Sequence, residues 1–372
     1  MNVEKVLLPI MFTLTIFALG ITVVLKPDNL ISISERRELT KKPEISIDTI
    51  ENGKYFKNIE TFLLDQIPFR EGFRRLKSVN EFYILKKLDN HKIIIKDDYA
   101  SKISYPLTEK SINLYIKKIN QIQEQYLQNK KLNIYNLVIP DKNYYLITKN
   151  EYPTIDYEKL KNQISTGISG DFIDIFNELG LDSYYKTDSH WKQESIIKVA
   201  NKILSQMDME TIEKIKECST NKPFYGVYYG ESALPLKYDV IRYVETEQIK
   251  NAKMYRINKK TKELEEGKMY YDDALEDELT DSYDFFLGGA STITVLENAL
   301  ATSDKTLYMF SDSFGRSLAT LLLSGYKRVV IYDVRYTKTS SALEKIPIEE
   351  KSDVLFAYNI SSIDVSSNIQ TN

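Results

Sequence analysis

Two histidines, His91 and His190, are the only imidazoles in 372 residues. Any general-base chemistry by imidazole near neutral pH must use one of them. His190 stands in Tyr185-Lys186-Thr187-Asp188-Ser189-His190-Trp191, where an Asp precedes the His by two positions. A carboxylate at that spacing can turn back to hold Nδ1–H, which fixes the tautomer and leaves Nε2 free to accept a proton. The plainer reading makes Asp188 or Ser189 the cap of the following helix. A second pattern is Met309-Phe310-Ser311-Asp312-Ser313-Phe314-Gly315-Arg316-Ser317. An apolar run enters a small polar turn and then a helix. A serine at such a turn has an exposed Oγ beside free backbone N–H groups that can hold an oxyanion. Alternatively Ser311, Asp312 and Ser313 merely cap the helix. Together the two patterns strengthen the reading of a serine nucleophile at this turn, because a serine needs a base and His190 is one of only two imidazoles available.

Those residues need elements to hold them. Pro140-Asp141-Lys142 ends an apolar run, Leu132 to Ile139, that reads as a buried parallel strand. Further strands are expected at Ile93–Ile95, Thr306–Phe310, Lys327–Asp333 and Asp353–Tyr358. Helices are expected at 111–129, 165–179 (closed by Gly180), 193–207 and after Ser313, where Leu318, Leu321, Leu322 and Leu323 recur. Apolar spacing from Tyr55 to Leu88 suggests two helices split at Pro68. Residues 252–271 read as a hairpin, out through Met254-Tyr255-Arg256-Ile257 and back through Met269-Tyr270-Tyr271. The acidic stretch 272–284 is a solvated loop or, in the sharper reading, a cation site. Strand, turn, helix, strand, helix, strand is the doubly wound α/β order, whose sites lie at the carboxyl ends of the strands.

Composition narrows the function classes. Lys and Arg total 50 against 53 Asp and Glu, so there is no basic excess for nucleic acid. A single cysteine, Cys218, excludes an internal disulfide framework and a Cys-rich zinc site, and two histidines argue against a His-rich metal centre. Neither a metal nor a cofactor is expected. Residues 6–25 are uncharged; at about 1.5 Å per residue they span about 30 Å, enough to cross a bilayer. A cleaved signal peptide is the rival, although Ala18-Leu19-Gly20 is a poor cleavage site. The basic residues after the stretch (Lys26, Arg36, Arg37, Lys41, Lys42) would by charge count put the body in the cytoplasm. The expected organisation is a short tail at 1–5, an anchor at 6–25 and a juxtamembrane linker at 26–54. An α/β domain follows at 55–364, with a helical N-terminal part and a 252–284 insertion, and a tail at 365–372.

Asp188-Ser189-His190-Trp191 followed by Ser311-Asp312-Ser313-Phe314 resembles the DHHW proteins of Gram-positive bacteria. These are relatives of the SGNH-hydrolase-like domains of alginate O-acetyltransferases. Further blocks resemble the family: Ser34-Glu35-Arg36-Arg37 with Lys42-Pro43, Asp65 to Arg70, Phe224 to Gly230, Phe286-Leu287-Gly288-Gly289 and Asp333-Val334-Arg335-Tyr336. The resemblance spans roughly residues 30–360. It implies an SGNH-hydrolase-like three-layer α/β fold with a parallel sheet, an inserted hairpin and an N-terminal transmembrane helix, with the catalytic domain extracytoplasmic. It also implies transfer or removal of acetyl esters on a cell-envelope glycan, with Ser313 as nucleophile, His190 as base and Asp188 orienting it. A membrane-bound acyltransferase supplying acetyl groups is the implied partner. Asp312, Arg335, Gly288, Gly289, Asn359 and Lys142 are candidates for substrate or oxyanion contacts, and His91 should play no part. Two positions depart from the wider pattern. Ser189 replaces a second His, and Ser311 replaces the Gly that lets backbone approach substrate. The alternative is a catalytically inactive glycan-binding or polysaccharide-assembly protein with the same fold.

Overall fold

A computed structural model describes residues 3–89, 92–147, 151–258, 260–277 and 280–372. His91 lies outside the described residues. The chain divides into two compact units, residues 1–91 with 229–236, and residues 92–228 with 237–372.

The first unit begins with helix α1 (Val3–Leu25), in which Val6–Leu25 form an apolar stretch of 20 residues with mean hydropathy 2.3 and few buried positions. Residues 26–54 are not simply extended. They carry a two-strand ladder pairing Ile31–Ser32 with Arg37–Glu38 and a short helix, Ile47–Glu51. Helices α2 (Lys54–Gln66) and α3 (Arg70–Val79) follow, broken at Ile67-Pro68-Phe69, where proline removes a backbone donor.

The second unit is built on an eight-stranded sheet. Its strands are β1 (Asn133–Ile139), β2 (Asp171–Phe172), β3 (Lys253–Ile257), β4 (Leu264–Gly267), β5 (Ile293–Glu297), β6 (Thr306–Ser311), β7 (Arg328–Tyr332) and β8 (Asp353–Asn359). The spatial order is β4-β3-β5-β7-β6-β8-β1-β2. The five strands from β7 to β2 run parallel, while β5, β3 and β4 extend the β7 edge in antiparallel fashion. The expected hairpin is therefore an extension of the sheet. Its return strand is β4, paired Leu264 with Ile257, and not Met269 to Tyr271.

Successive strand residues feed opposite faces, as the two-residue repeat demands. On β6, Leu307 and Met309 join one core with helices α6 (Ile197–Gln206) and α7 (Phe314–Leu322). Tyr308 and Phe310 join the other with helices α4 (Glu109–Tyr126) and α5 (Tyr157–Gly167). The result is the expected three-layer α/β fold. The expected helix over 165–179 is corrected. The helix ends at Gly167, Gly170 takes φ +107°, and β2 follows. A Cβ on Gly170 would stand 2.5 Å from the Ile134 carbonyl oxygen, so glycine here permits close backbone approach as well as the left-handed turn. The antiparallel pair Lys216–Phe224 with Asp239–Glu245, and strand β5, had no expectation in the sequence.

Candidate functional site

Strands β6, β8 and β1 are parallel neighbours that end together, Ser311 opposite Ala357 and Asn359 opposite Ile139. Their carboxyl ends supply one rim of the site, as α/β topology requires. Ser313 follows β6 at the N-cap position of α7, yet its side chain makes no capping bond. Its hydroxyl instead stands 2.8 Å from His190 Nε2. The cap belongs to Asp312, whose Oδ1 accepts from the Phe314 N–H at 3.0 Å.

The second rim is a loop. Residues 184–191 close on themselves through a Tyr184–Trp191 bridge; the next turn, a 3-10 helix, starts at Gln193 after Lys192, and the α-helix starts at Ile197. Capping is therefore not what Asp188 does. Its Oδ1 lies 2.6 Å from His190 Nδ1 and accepts the His190 backbone N–H at 3.0 Å, while Oδ2 accepts the Val227 N–H at 2.9 Å. Burial opposes the charge on Asp188. The facing His190 ring and these N–H donors outweigh it and hold the carboxyl well below the usual carboxylate range. An ionised carboxylate can only accept, so Nδ1 carries the proton and Nε2 presents its lone pair to Ser313. The imidazole is clamped by the Tyr283 ring, stacked at 3.7 Å and 8°, and by Phe314 at 4.7 Å. His190 and Ser313, separated by 123 positions, thus join Asp188 in one hydrogen-bonded Asp–His–Ser chain.

Most of the other candidates are committed elsewhere. Lys142 is buried, and its Nζ donates to the carbonyls of Ala100, Tyr185 and Asp188 at 2.6–2.7 Å. Burial pushes its pKa down to about 7 against the pull of the Asp188 and Asp239 carboxylates. Surrounded by these three carbonyls, Nζ anchors the His190 loop and points away from any substrate. Asp312 Oδ2 accepts from the Asn359 N–H and the Ser362 hydroxyl, tying β6 to β8. Asn359 caps the next helix with Oδ1 and spends its amide on Ile139 and Pro140 carbonyls. Arg335 is locked bidentate on Asp333 at 2.8 and 2.6 Å. Gly288 and Gly289 adopt φ +67° and +81°, and Gly289 spends its N–H on Phe286. In the first turn of α7 the Phe314, Gly315 and Arg316 amides are all engaged. The Ser313 N–H has no internal partner among the described residues and is the amide at the turn left open to a ligand.

The departure at Ser311 is absorbed locally. Its hydroxyl turns inward to the Ala357 carbonyl at 2.7 Å, away from the turn. Gly315 makes room for it, since a Cβ there would stand 2.1 Å from Ser311 Oγ.

Several participants were not singled out from the sequence. Asp239 holds the loop by accepting from the Lys186 and Thr187 N–H groups and the Thr187 hydroxyl at 2.7–2.8 Å. Gly226 lies so close that a Cβ would meet Asp188 Cβ at 2.3 Å. Tyr283 and Trp191 both reach the Ser317 hydroxyl, at 2.8 and 2.9 Å. Arg316, one turn past Ser313, pairs with Asp284 at 2.6 Å over the Tyr283 face. The 272–284 stretch therefore contributes Asp284 and Tyr283 to this corner. Among the described residues no group of His, Cys, Asp and Glu could hold a metal ion. The sequence signals were weak: Asp239 opens a strand that the sequence did not announce, and Tyr283 and Asp284 lie on a single short helical turn, Ser282–Phe285, within the acidic stretch.

No family model matches the sequence, and no curated protein matches it. Solved structures do. The chain is similar to a DHHW family protein from Eubacterium siraeum, at 16% identity and a TM-score of 0.60, over 76% of this chain and 98% of that one. It is also similar to Bacillus cereus PatB1 with a sulfonyl adduct, at 17% identity and a TM-score of 0.58, over 73% and 95% of the two chains. These likenesses carry the fold, and the fold agrees with the resemblance read from the two motifs.

Proposed function

We propose that the chain is a membrane-tethered, extracytoplasmic acyl-transfer enzyme that adds or removes O-acetyl groups on a cell-envelope polysaccharide. The observation that carries this reading is the single imidazole bridging Asp188 at 2.6 Å and Ser313 at 2.8 Å. His190 Nε2 takes the Ser313 proton as Oγ attacks an acetyl carbonyl, and the tetrahedral oxyanion falls to the Ser313 N–H. The carbonyl–oxygen bond to the leaving alcohol breaks, His190 returns the proton to that alcohol, and an acetyl-serine remains. A sugar hydroxyl or water then reverses the sequence. Asp188 holds the tautomer and stabilises the imidazolium. The apolar span Val6–Leu25 supplies the anchor, and a membrane-bound acyltransferase would deliver acetyl groups. The solved PatB1 neighbour bears a sulfonyl adduct, a modification typical of an activated nucleophile, and this supports the same chemistry here.

The test is turnover of an aryl acetate by the full chain, with bare and acetylated glycans as competing acceptors. The proposal expects turnover that Ser313→Ala abolishes without altering the circular dichroism spectrum. No turnover by the wild type, with glycan binding retained in Ser313→Ala, would establish the inactive binding protein instead.

A further inference from the structure

In the first unit polar groups share the buried side of α2 and α3 with Phe62, while a run of large apolar groups faces outward. Along α3, Arg70, Arg74 and Ser78 recur at four-residue spacing on the inner side. Arg70 reaches Glu35 at 2.6 Å, Arg74 reaches Glu35 at 3.4 Å, and Ser78 is buried. The opposite side carries Phe69, Phe73 and Leu76, of which Phe69 is 83% and Leu76 66% exposed. On α2 the pattern repeats. Asp65 and Gln66 are 3% and 1% exposed, with Asp65 held by Arg37 at 2.6 Å, while Phe56 and Leu64 face outward. A helix in water shows the reverse arrangement. Apolar side chains stacked on one exposed face mark an apolar neighbour.

The chain itself says which neighbour. The Gln66 side chain clasps Asn29, accepting its N–H at 2.8 Å and donating to its carbonyl at 2.9 Å. Asn29 comes four residues after the last residue of the apolar span, Leu25. Four residues reach at most about 14 Å. The α2–α3 corner, with Phe69 three residues past Gln66, is therefore pinned close to the end of the span. Exposed Lys77 stands next to Leu76 on α3, the pairing of basic and apolar groups that suits a lipid headgroup boundary.

We infer that the outward face of the α2–α3 corner, built on Phe69, Phe73 and Leu76, lies in the bilayer interface beside the span. This rests on reading α1 as a membrane anchor. The corner is then a second, shallow membrane contact, and it restricts rotation of the first unit about its tether.

The experiment uses the full chain in a Cys218→Ser background, reconstituted in vesicles of phosphatidylcholine and phosphatidylglycerol. Single cysteines at Ile16, Phe69, Leu76 and Lys327 carry an environment-sensitive fluorophore. Iodide reports contact with water, and nitroxide-labelled lipids report contact with acyl chains. The inference expects probes at 69 and 76 to be quenched by lipids nitroxide-labelled near the headgroup, and several-fold less by iodide than the probe at 327. If the probe at 16 meets lipid while those at 69 and 76 are quenched by iodide like the one at 327, the inference falls and the anchor stands. Shielding of 69 and 76 from both quenchers would mean that a second copy of the chain covers the face, which also overturns it. If the probe at 16 never meets lipid, the anchor reading fails and takes the inference with it.

Discussion

The two rims of the candidate site are made by opposite strategies. The Ser313 turn is a product of the sheet: a buried apolar strand ends, a carboxylate caps the next helix, and the serine stands at the junction with little else required. The His190 loop has no regular structure and is held from outside. Lys142 ties down three carbonyls, Asp239 takes three donors, Gly226 and Val227 press on Asp188, and Tyr283 covers the ring. A turn at a strand end inherits its geometry from the core. A loop must be given its geometry by buried polar groups, and each of these is costly if left unpaired.

Changes on the loop side should consequently act through positioning, and changes on the turn side through chemistry or packing. The largest effect short of removing the nucleophile is expected for Asp188→Asn, which offers the wrong hydrogen-bonding pattern to Nδ1–H. Turnover of an aryl acetate should fall about 10²- to 10⁴-fold, mainly in kcat. The same variant tests the pH dependence. The folded Asp188 carboxyl is held below its unfolded value of about 3.9, so its stabilisation is complete above about pH 5 and drains away as the pH falls further. Asp188→Asn should flatten the acid limb of the stability curve measured by urea unfolding.

Lys142→Met comes next and reads the loop alone. It strands three buried carbonyls and should cost about 3 kcal/mol or more in urea unfolding, with turnover lost in parallel as His190 drifts. On the turn side, Gly315→Ala drives a methyl against Ser311 Oγ and should cost about 1–3 kcal/mol, with a displaced α7 visible as weakened turnover at unchanged pH profile. The smallest effect belongs to Tyr283→Phe. It keeps the stacked ring but removes one bond to Ser317, which Trp191 continues to hold, for about 1 kcal/mol in melting experiments. Should Tyr283→Phe prove as damaging as Lys142→Met, the hydroxyl would matter more than the stacking, and the contrast between the rims would need redrawing.

The same contrast explains what the sequence disclosed. Strands β1, β6, β7 and β8 were legible because each is a dominantly apolar run bounded by polar residues. The Asp-x-His spacing was legible because its chemistry is local. Asp239 and Tyr283 were not, since nothing in their neighbourhoods marks them as partners of a loop some fifty or ninety positions away. Asn359, Asp312 and Lys142 were named through the resemblance as substrate or oxyanion candidates, but their hydrogen-bonding capacity is consumed by neighbouring strand ends and loops. That accounting is visible only in three dimensions. The helix expected over 165–179 failed for a related reason: Ile173, Ile175 and Phe176 are apolar because they line the core beyond a glycine turn, and their helical spacing is incidental.

The central claim is that His190 activates Ser313, and sulfonylation tests it most directly. The full chain is treated with a sulfonyl fluoride, and the modified residue is located by peptide mass spectrometry in the wild type and in His190→Ala. The account predicts one adduct, on Ser313, absent or slowed by orders of magnitude in His190→Ala. An adduct on another residue, or equal labelling of Ser313 in both proteins, would contradict it.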